Sequence, residues 1–139
     1  EATKELRSLF ESEKSPENRE AILQSLGVAG DSEALAQIAS SNQPEEIRIQ
    51  AIQALGIADN SDTGATLTKI YSEAGSEAIR QAALEGMLIA DDSGAMLTLY
   101  RQAKSSEEKK VLLRMITLTD SEAALDLIEA ELDKGEKQP

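Results

Sequence analysis

Ile47-Arg48-Ile49-Gln50-Ala51-Ile52-Gln53-Ala54-Leu55-Gly56-Ile57-Ala58-Asp59 is the stretch on which the fold turns. Ile47, Ala51, Ile52, Leu55 and Ala58 fall at i, i+4, i+5, i+8 and i+11, which draws one apolar stripe at helical period. Pro44 precedes it, where a missing N–H costs nothing because the first turn has no intrahelical acceptor to offer. Glu45 and Glu46 follow, at the positive end of the helix dipole.

With the phase anchored on Leu55, the pattern recurs around Leu26, Met87 and Met115, at spacings of 29, 32 and 28 residues. Seven residues before the first three anchors stand Arg19, Arg48 and Arg80; the fourth copy has Glu108 there. Leu23, Ile52, Leu84 and Leu112 lie three before each anchor, and Ser25, Ala54, Gly86 and Arg114 one before. Five after come Asp31, Asn60, Asp92 and Asp120, each of a type that caps a following helix.

A period of about thirty residues with one helix per copy leaves room for a second helix. A shorter apolar pattern supplies it: Leu35-Ile38-Ala39, Leu67-Ile70-Tyr71 and Met96-Leu99-Tyr100, with Leu6-Leu9-Phe10 in the same slots at the start and Leu125-Ile128 partly so near the end. The chain's aromatic residues, Phe10, Tyr71 and Tyr100, all occupy one slot, which implies a shared packing environment. A repeated helix pair that buries its apolar face only against its neighbours is an α-solenoid. The expected fold is all-α, a right-handed α-α superhelix of about four stacked antiparallel helix pairs.

Ile47-Arg48, Ala51, Ala54-Leu55-Gly56 and Asn60 resemble the short HEAT repeats of bacterial and phycobilin-lyase-like proteins, whose pattern is of the type [VI]-R-x-x-A-x-x-A-L-G-x-x-x-[DN]. Ile79-Arg80, Ala83 and Met87 match it less fully, as do Arg19, Leu26-Gly27 and Asp31. In that family a turn aspartate often pairs with the repeated arginine. Here Glu13, Asn42 and Ala74 stand six before the arginines, so a regular ladder of such pairs is not expected. The fourth copy departs most, with Glu107, Glu108, Lys109 and Lys110 where an Ile-Arg pair belongs. The resemblance implies an interaction or scaffolding role. Because some short-repeat relatives act on tetrapyrroles, it also implies a lyase or chaperone as the alternative.

At 139 residues the chain is long enough for one domain with a real core. Hydrophobic residues make up 40% but aromatics only 2%, so the core must come from close helix–helix approach rather than from large side chains. The formal net charge of −12 argues against nucleic acid and anionic membranes, since phosphate binding relies on Lys and Arg displacing counterions; it permits a basic partner. With no cysteine and no histidine, thiol, disulfide and imidazole chemistry are excluded. No apolar run approaches the roughly 20 residues of a membrane span. The chain begins at Glu1 without methionine, and it reads as a processed or excised portion of something longer.

Repeat pairs are expected at about 2–29, 31–58, 61–90 and 92–118, with a last helix at 120–133, together one HEAT-like domain over 1–133. Residues 134–139 carry no apolar side chain to dock and read as a fraying polar tail. No cofactor and no metal are expected. Asp91-Asp92 and Asp59-Asn60-Ser61-Asp62-Thr63-Gly64 offer only part of a calcium loop and read as helix caps. Adjacent carboxylates such as Glu45-Glu46 and Glu107-Glu108 point apart on a helix start and cannot converge for acid–base work. The periodic arginines read as structural hydrogen-bond donors with packed stems.

What remains is surface. A strip six and two residues before each anchor, and one after it, falls on the concave side of such stacks in the family. It comprises Glu20, Gln24 and Gly27; Ile49, Gln53 and Gly56; Gln81, Glu85 and Leu88; and Lys109, Leu113 and Ile116. It is the candidate partner-binding face for another protein or for further parts of a longer chain, polar and acidic in the early copies and apolar in the last.

Overall fold

A computed structural model describes residues 2–137. Among them the chain is entirely helical: α1 (Ala2–Ser12), α2 (Pro16–Val28), α3 (Ser32–Ala39), α4 (Glu45–Ala58), α5 (Thr63–Glu73), α6 (Glu77–Ile89), α7 (Ser93–Gln102), α8 (Ser106–Thr119) and α9 (Ser121–Lys137). The helices pack in sequential pairs, as in a HEAT α-solenoid. They fall into two compact units that divide between Ala90 and Asp91. In the first, α1/α2, α3/α4 and α5/α6 are the pairs, and α4 also packs on α2 and α6. In the second, α8 packs on both α7 and α9.

The helix ends follow local chemistry. Ser15, Ser76 and Ser105 cap α2, α6 and α8, each accepting from a backbone N–H three residues on. Asp31, Asp92 and Asp120 do the same for α3, α7 and α9. Asn60 departs from the expected cap because α5 begins only at Thr63; its side chain instead accepts from Asp62 N–H and donates to Ser32 Oγ at the start of α3. Gly30, Asp59 and Asp91, each four residues past its anchor, have φ of +79°, +36° and +54°. This left-handed position favours glycine first and aspartate among the rest. The helix α9 runs on to Lys137, past the end expected at residue 133, so most of the expected tail is helical. Gln138 and Pro139, read as the end of that tail, and Glu1 lie outside the described residues.

The core is built as the composition requires. The anchors Leu26, Leu55 and Met87 are fully buried, together with Leu23, Ile52, Ala51 and Ala83. Between them the second helices nearly touch, backbone to backbone. A Cβ placed on Gly27 would stand 2.8 Å from the Ala54 carbonyl oxygen, and one on Gly56 would overlap the Gly86 carbonyl. Thus the glycine one after an anchor meets the small residue one before the next anchor, and the pairing occurs twice, at Gly27/Ala54 and Gly56/Gly86. Gly27 and Gly56 are therefore seam residues rather than members of an open strip.

Gly56→Ala should destabilise the protein by about 1–3 kcal/mol, the usual cost of forcing a methyl group into a packed site. Gly75→Ala, where an added Cβ meets nothing within 4 Å, should be neutral or stabilising by up to about 1 kcal/mol. Urea unfolding of the two variants checks this; equal midpoints would remove the glycine seam from the account.

Candidate functional site

The repeated basic residues explain how the surface is sorted. Arg19 Nε donates to the Glu13 carbonyl at 2.6 Å, and Arg48 Nε donates to the Ala39 carbonyl at 2.9 Å. Both acceptors lie at the C-terminal end of the first helix of the pair, where carbonyls lack helical partners and the dipole is negative. Two of the repeated arginines cover the aromatic slot: Arg19 lies 5.7 Å from the Phe10 ring centroid and Arg80 5.6 Å from that of Tyr71. Arg80 also pairs with Glu77 at 2.9 Å.

In the fourth copy Lys109, not residue 108, lies over its ring, 5.7 Å from Tyr100. Ile116 is fully buried, and Leu113 is only half-buried. The ring contact of Lys109 and the burial of Ile116 fit an anchor on Ile116 rather than Met115, whereas fully buried Leu112, three before Met115, and half-buried Leu113 keep the expected phase. Lys109 then falls seven residues before the anchor, in the arginine slot. Lys109 and Ile116 consequently leave the candidate strip, the first to its ring and the second to the core. The residues that replace them in phase are Lys110, Arg114 and Thr117, all exposed. The expected apolar end of the strip thus carries basic and polar side chains beside the half-buried Leu113.

In the first unit Glu20, Gln24 and Gln81 are exposed, while Ile49, Gln53, Glu85 and Leu88 are half-buried. Gln53 Nε2 donates to Glu85 Oε2 and ties α4 to α6. A row that the periodicity did not reveal stands one helical turn beyond Gln24, Gln53 and Glu85. It consists of Val28, Ile57 and Ile89, which are 78%, 40% and 51% exposed, and Leu118 holds the same place in the fourth copy at 76%. The signal was available: each lies two residues past its anchor and is a large aliphatic. It was hidden because an exposed aliphatic beside a core stripe looks like more core.

Charge is segregated on these helices. The carboxylates of α2, α4 and α6 are Glu17, Glu20, Glu45, Glu46, Glu77 and Glu85, and the basic residues are Arg19, Arg48 and Arg80. Each of these arginines is drawn toward a first helix or the turn beside it. The opposite face is left acidic, amide-bearing and aliphatic.

One ion pair fastens the first two repeats. Arg7 grips Asp31 with two bonds of 2.6 Å, from Nε to Oδ2 and from Nη2 to Oδ1, while Asp31 caps α3. The Arg7 guanidinium, helped by the Ala34 N–H, holds the Asp31 carboxyl below its usual range, against the opposing effect of burial. In the second unit Tyr100, Lys104, Lys109, Lys110, Leu113 and Glu131 line a hollow of about 380 Å³, and burial raises the Tyr100 hydroxyl above its usual range, with a smaller push from Glu131. Among the described residues no group of three or more acidic side chains could hold a metal ion, and no helix is long and apolar enough to cross a membrane.

With this geometry in place, the chain belongs to the HEAT-repeat family: residues 3–88 match the family's model for HEAT repeats. Such repeats generally serve as scaffolds for protein interaction. No curated protein and no solved structure matches the chain.

A depressed carboxylate gives stability that is present above its unfolded value, near 3.9 for Asp, and is lost as pH falls through the lower folded value. Asp31→Ala should therefore cost about 0.5–2 kcal/mol at pH 7, the range for a lost N-cap. Urea unfolding should show the gap to the wild type shrinking below about pH 4. A gap independent of pH would contradict the assigned role.

Proposed function

We propose that the first unit is a non-catalytic protein-docking module whose open face is formed by α2, α4 and α6, and that its partner is a basic, amphipathic segment of another protein. The observation that carries this reading is the repeated pairing on that face. Gln24, Gln53 and Glu85 each stand one turn before an exposed aliphatic, Val28, Ile57 and Ile89. Exposed aliphatics scattered singly are ordinary on a protein surface. Three at one repeat position on successively packed helices make a row that a partner can bury.

Charge selects the partner. Glu20, Glu46 and Glu85 lie on these helices, and their arginines are engaged elsewhere. Lysine or arginine in the docking segment is therefore attracted, and acidic segments are repelled. The proposed face takes in Glu20, Gln24, Ile49, Gln53, Gln81, Glu85 and Leu88 of the candidate strip. The hollows in the first unit lie on first helices: one is lined by Lys4, Glu5, Ser8 and Leu9, the other by Arg7, Phe10, Ala34, Ile38 and neighbours. Neither joins the docking face, which favours an extended protein contact over an enclosed ligand.

The test is affinity capture from the source organism's lysate with the wild type, with Glu20→Arg/Glu85→Arg and with Ile57→Asp, at low and high salt. A partner with a basic segment should bind the wild type, be lost from both variants, and weaken as salt screens the exposed charges. Equal capture by all three proteins would move the docking site off this face.

A further inference from the structure

The outward row of the second helices reverses its charge in the fourth copy. Six and two residues before each anchor and two after it stand Glu20, Gln24 and Val28 on α2, Ile49, Gln53 and Ile57 on α4, and Gln81, Glu85 and Ile89 on α6. Counted from Ile116, the row on α8 is Lys110, Arg114 and Leu118. These three lie at i, i+4 and i+8 and are all exposed, and Val111 beside them is 40% exposed. Leu112, Met115 and Ile116 are buried on the other side of the helix. The aliphatic that ends each row is kept in every copy, whereas the carboxylates of Glu20 and Glu85 give way to the cations of Lys110 and Arg114.

The place on the helix keeps this row bare. Ile57 occupies it on α4, which has α2 packed on one side and α6 on the other, and is still 40% exposed. The basic groups are also free to meet a partner. Arg7, Arg19, Arg48 and Arg80 are each engaged by an acceptor or a ring within their own unit. Arg114 has neither a hydrogen bond nor an ion pair among the described residues. Lys110 meets Glu107 at 3.7 Å, an exposed pair that holds little energy. The open face of α8 is therefore a basic, amphipathic helix surface, the chemistry that the acidic and aliphatic face of α2, α4 and α6 selects.

We propose that α8 of a second copy of this chain docks on the first unit's open face when no other basic segment fills it. The inference rests on the reading of that face given above. Val111 and Leu118 of one copy cover aliphatics such as Ile57 and Ile89 of the other, and Lys110 and Arg114 meet the carboxylates that flank them. The two surfaces differ, so the contact is heterologous, with each copy offering one of each. Two α8 rows set face to face would bring basic groups against basic groups, which disfavours a symmetric pair. The formal net charge of −12 on every copy opposes association over long range, so the contact is weak and a tighter-binding segment of a partner displaces it.

The test is sedimentation equilibrium of the full chain at about 0.15 M salt, where charges more than about 8 Å apart are largely screened. Over about 10 μM to 1 mM, the range of a weak contact, the average mass should rise with concentration. Lys110→Glu/Arg114→Glu and Ile57→Asp should each weaken association at least about tenfold. An equimolar mixture of the two variants should regain it and stop at a one-to-one dimer, because the first keeps its acidic face and the second keeps its α8 row. Circular dichroism should show unchanged thermal unfolding, and Glu20→Arg/Glu85→Arg replaces Ile57→Asp if that variant is less stable. An unsubstituted chain that stays monomeric throughout, association that survives either variant, or a mixture that does not regain it would overturn the proposal. A monomeric chain would leave the docking face itself to the lysate capture, where loss of a partner from Ile57→Asp still supports it.

Discussion

The first unit rests on one constraint: α2, α4 and α6 approach so closely that no side chain fits between Gly27 and Ala54 or between Gly56 and Gly86. A chain with so few aromatics and so much alanine cannot fill wide gaps between helices. Close approach brings the leucine, isoleucine and methionine anchors into mutual contact instead, and dispersion with loss of apolar surface to the core supplies the stability. The seam also sets rotation. With Gly27 and Gly56, the residues after the first two anchors, pressed against the next helix, the residues two before and two after those anchors are turned outward. The docking face is thus a consequence of how the core is closed.

The second organising contact is the basic side chain that reaches from each second helix back to its first helix. It answers the exposed carbonyls at a helix end in two pairs and covers an aromatic ring in three. These contacts knit the pair together, and they also remove positive charge from the outer face. A chain already rich in carboxylates becomes more one-sided than its composition alone requires. In the fourth copy the same job falls to Lys109, a point charge without the planar fork that lets Arg19 and Arg48 bond a carbonyl through Nε.

The helices and the first three anchors were legible because burial and helical period coincide in Leu26, Leu55 and Met87. The fourth copy misled by one residue: Met115 and Ile116 are adjacent and both apolar, so the stripe alone does not choose between them. Lys109, seven residues before Ile116, takes the basic slot, but it is a lysine where the other copies carry arginine, and Glu108 occupies the position seven before Met115. Gly27 and Gly56 looked like surface because a residue without a side chain leaves no hydrophobic signature, although small residues at such positions permit the tightest packing. The far end of α9 was underestimated because Lys134 and its neighbours have nothing to dock, yet residues of this type propagate a helix already begun. The aliphatics beyond each anchor are visible in the sequence, but only the fold separates an exposed Val28 from a buried Leu26.

If the seam through α4 holds the first unit together, α4 must be its last element to open. Native-state hydrogen exchange measures this directly. The amides of Ile52 to Gly56 should exchange only by global unfolding, with α2 and α6 close behind and α1 opening far more readily. Exchange in α4 faster than in α1 or α3 would contradict the account, because the close glycine contacts of α4 would then not be the ones that hold the unit.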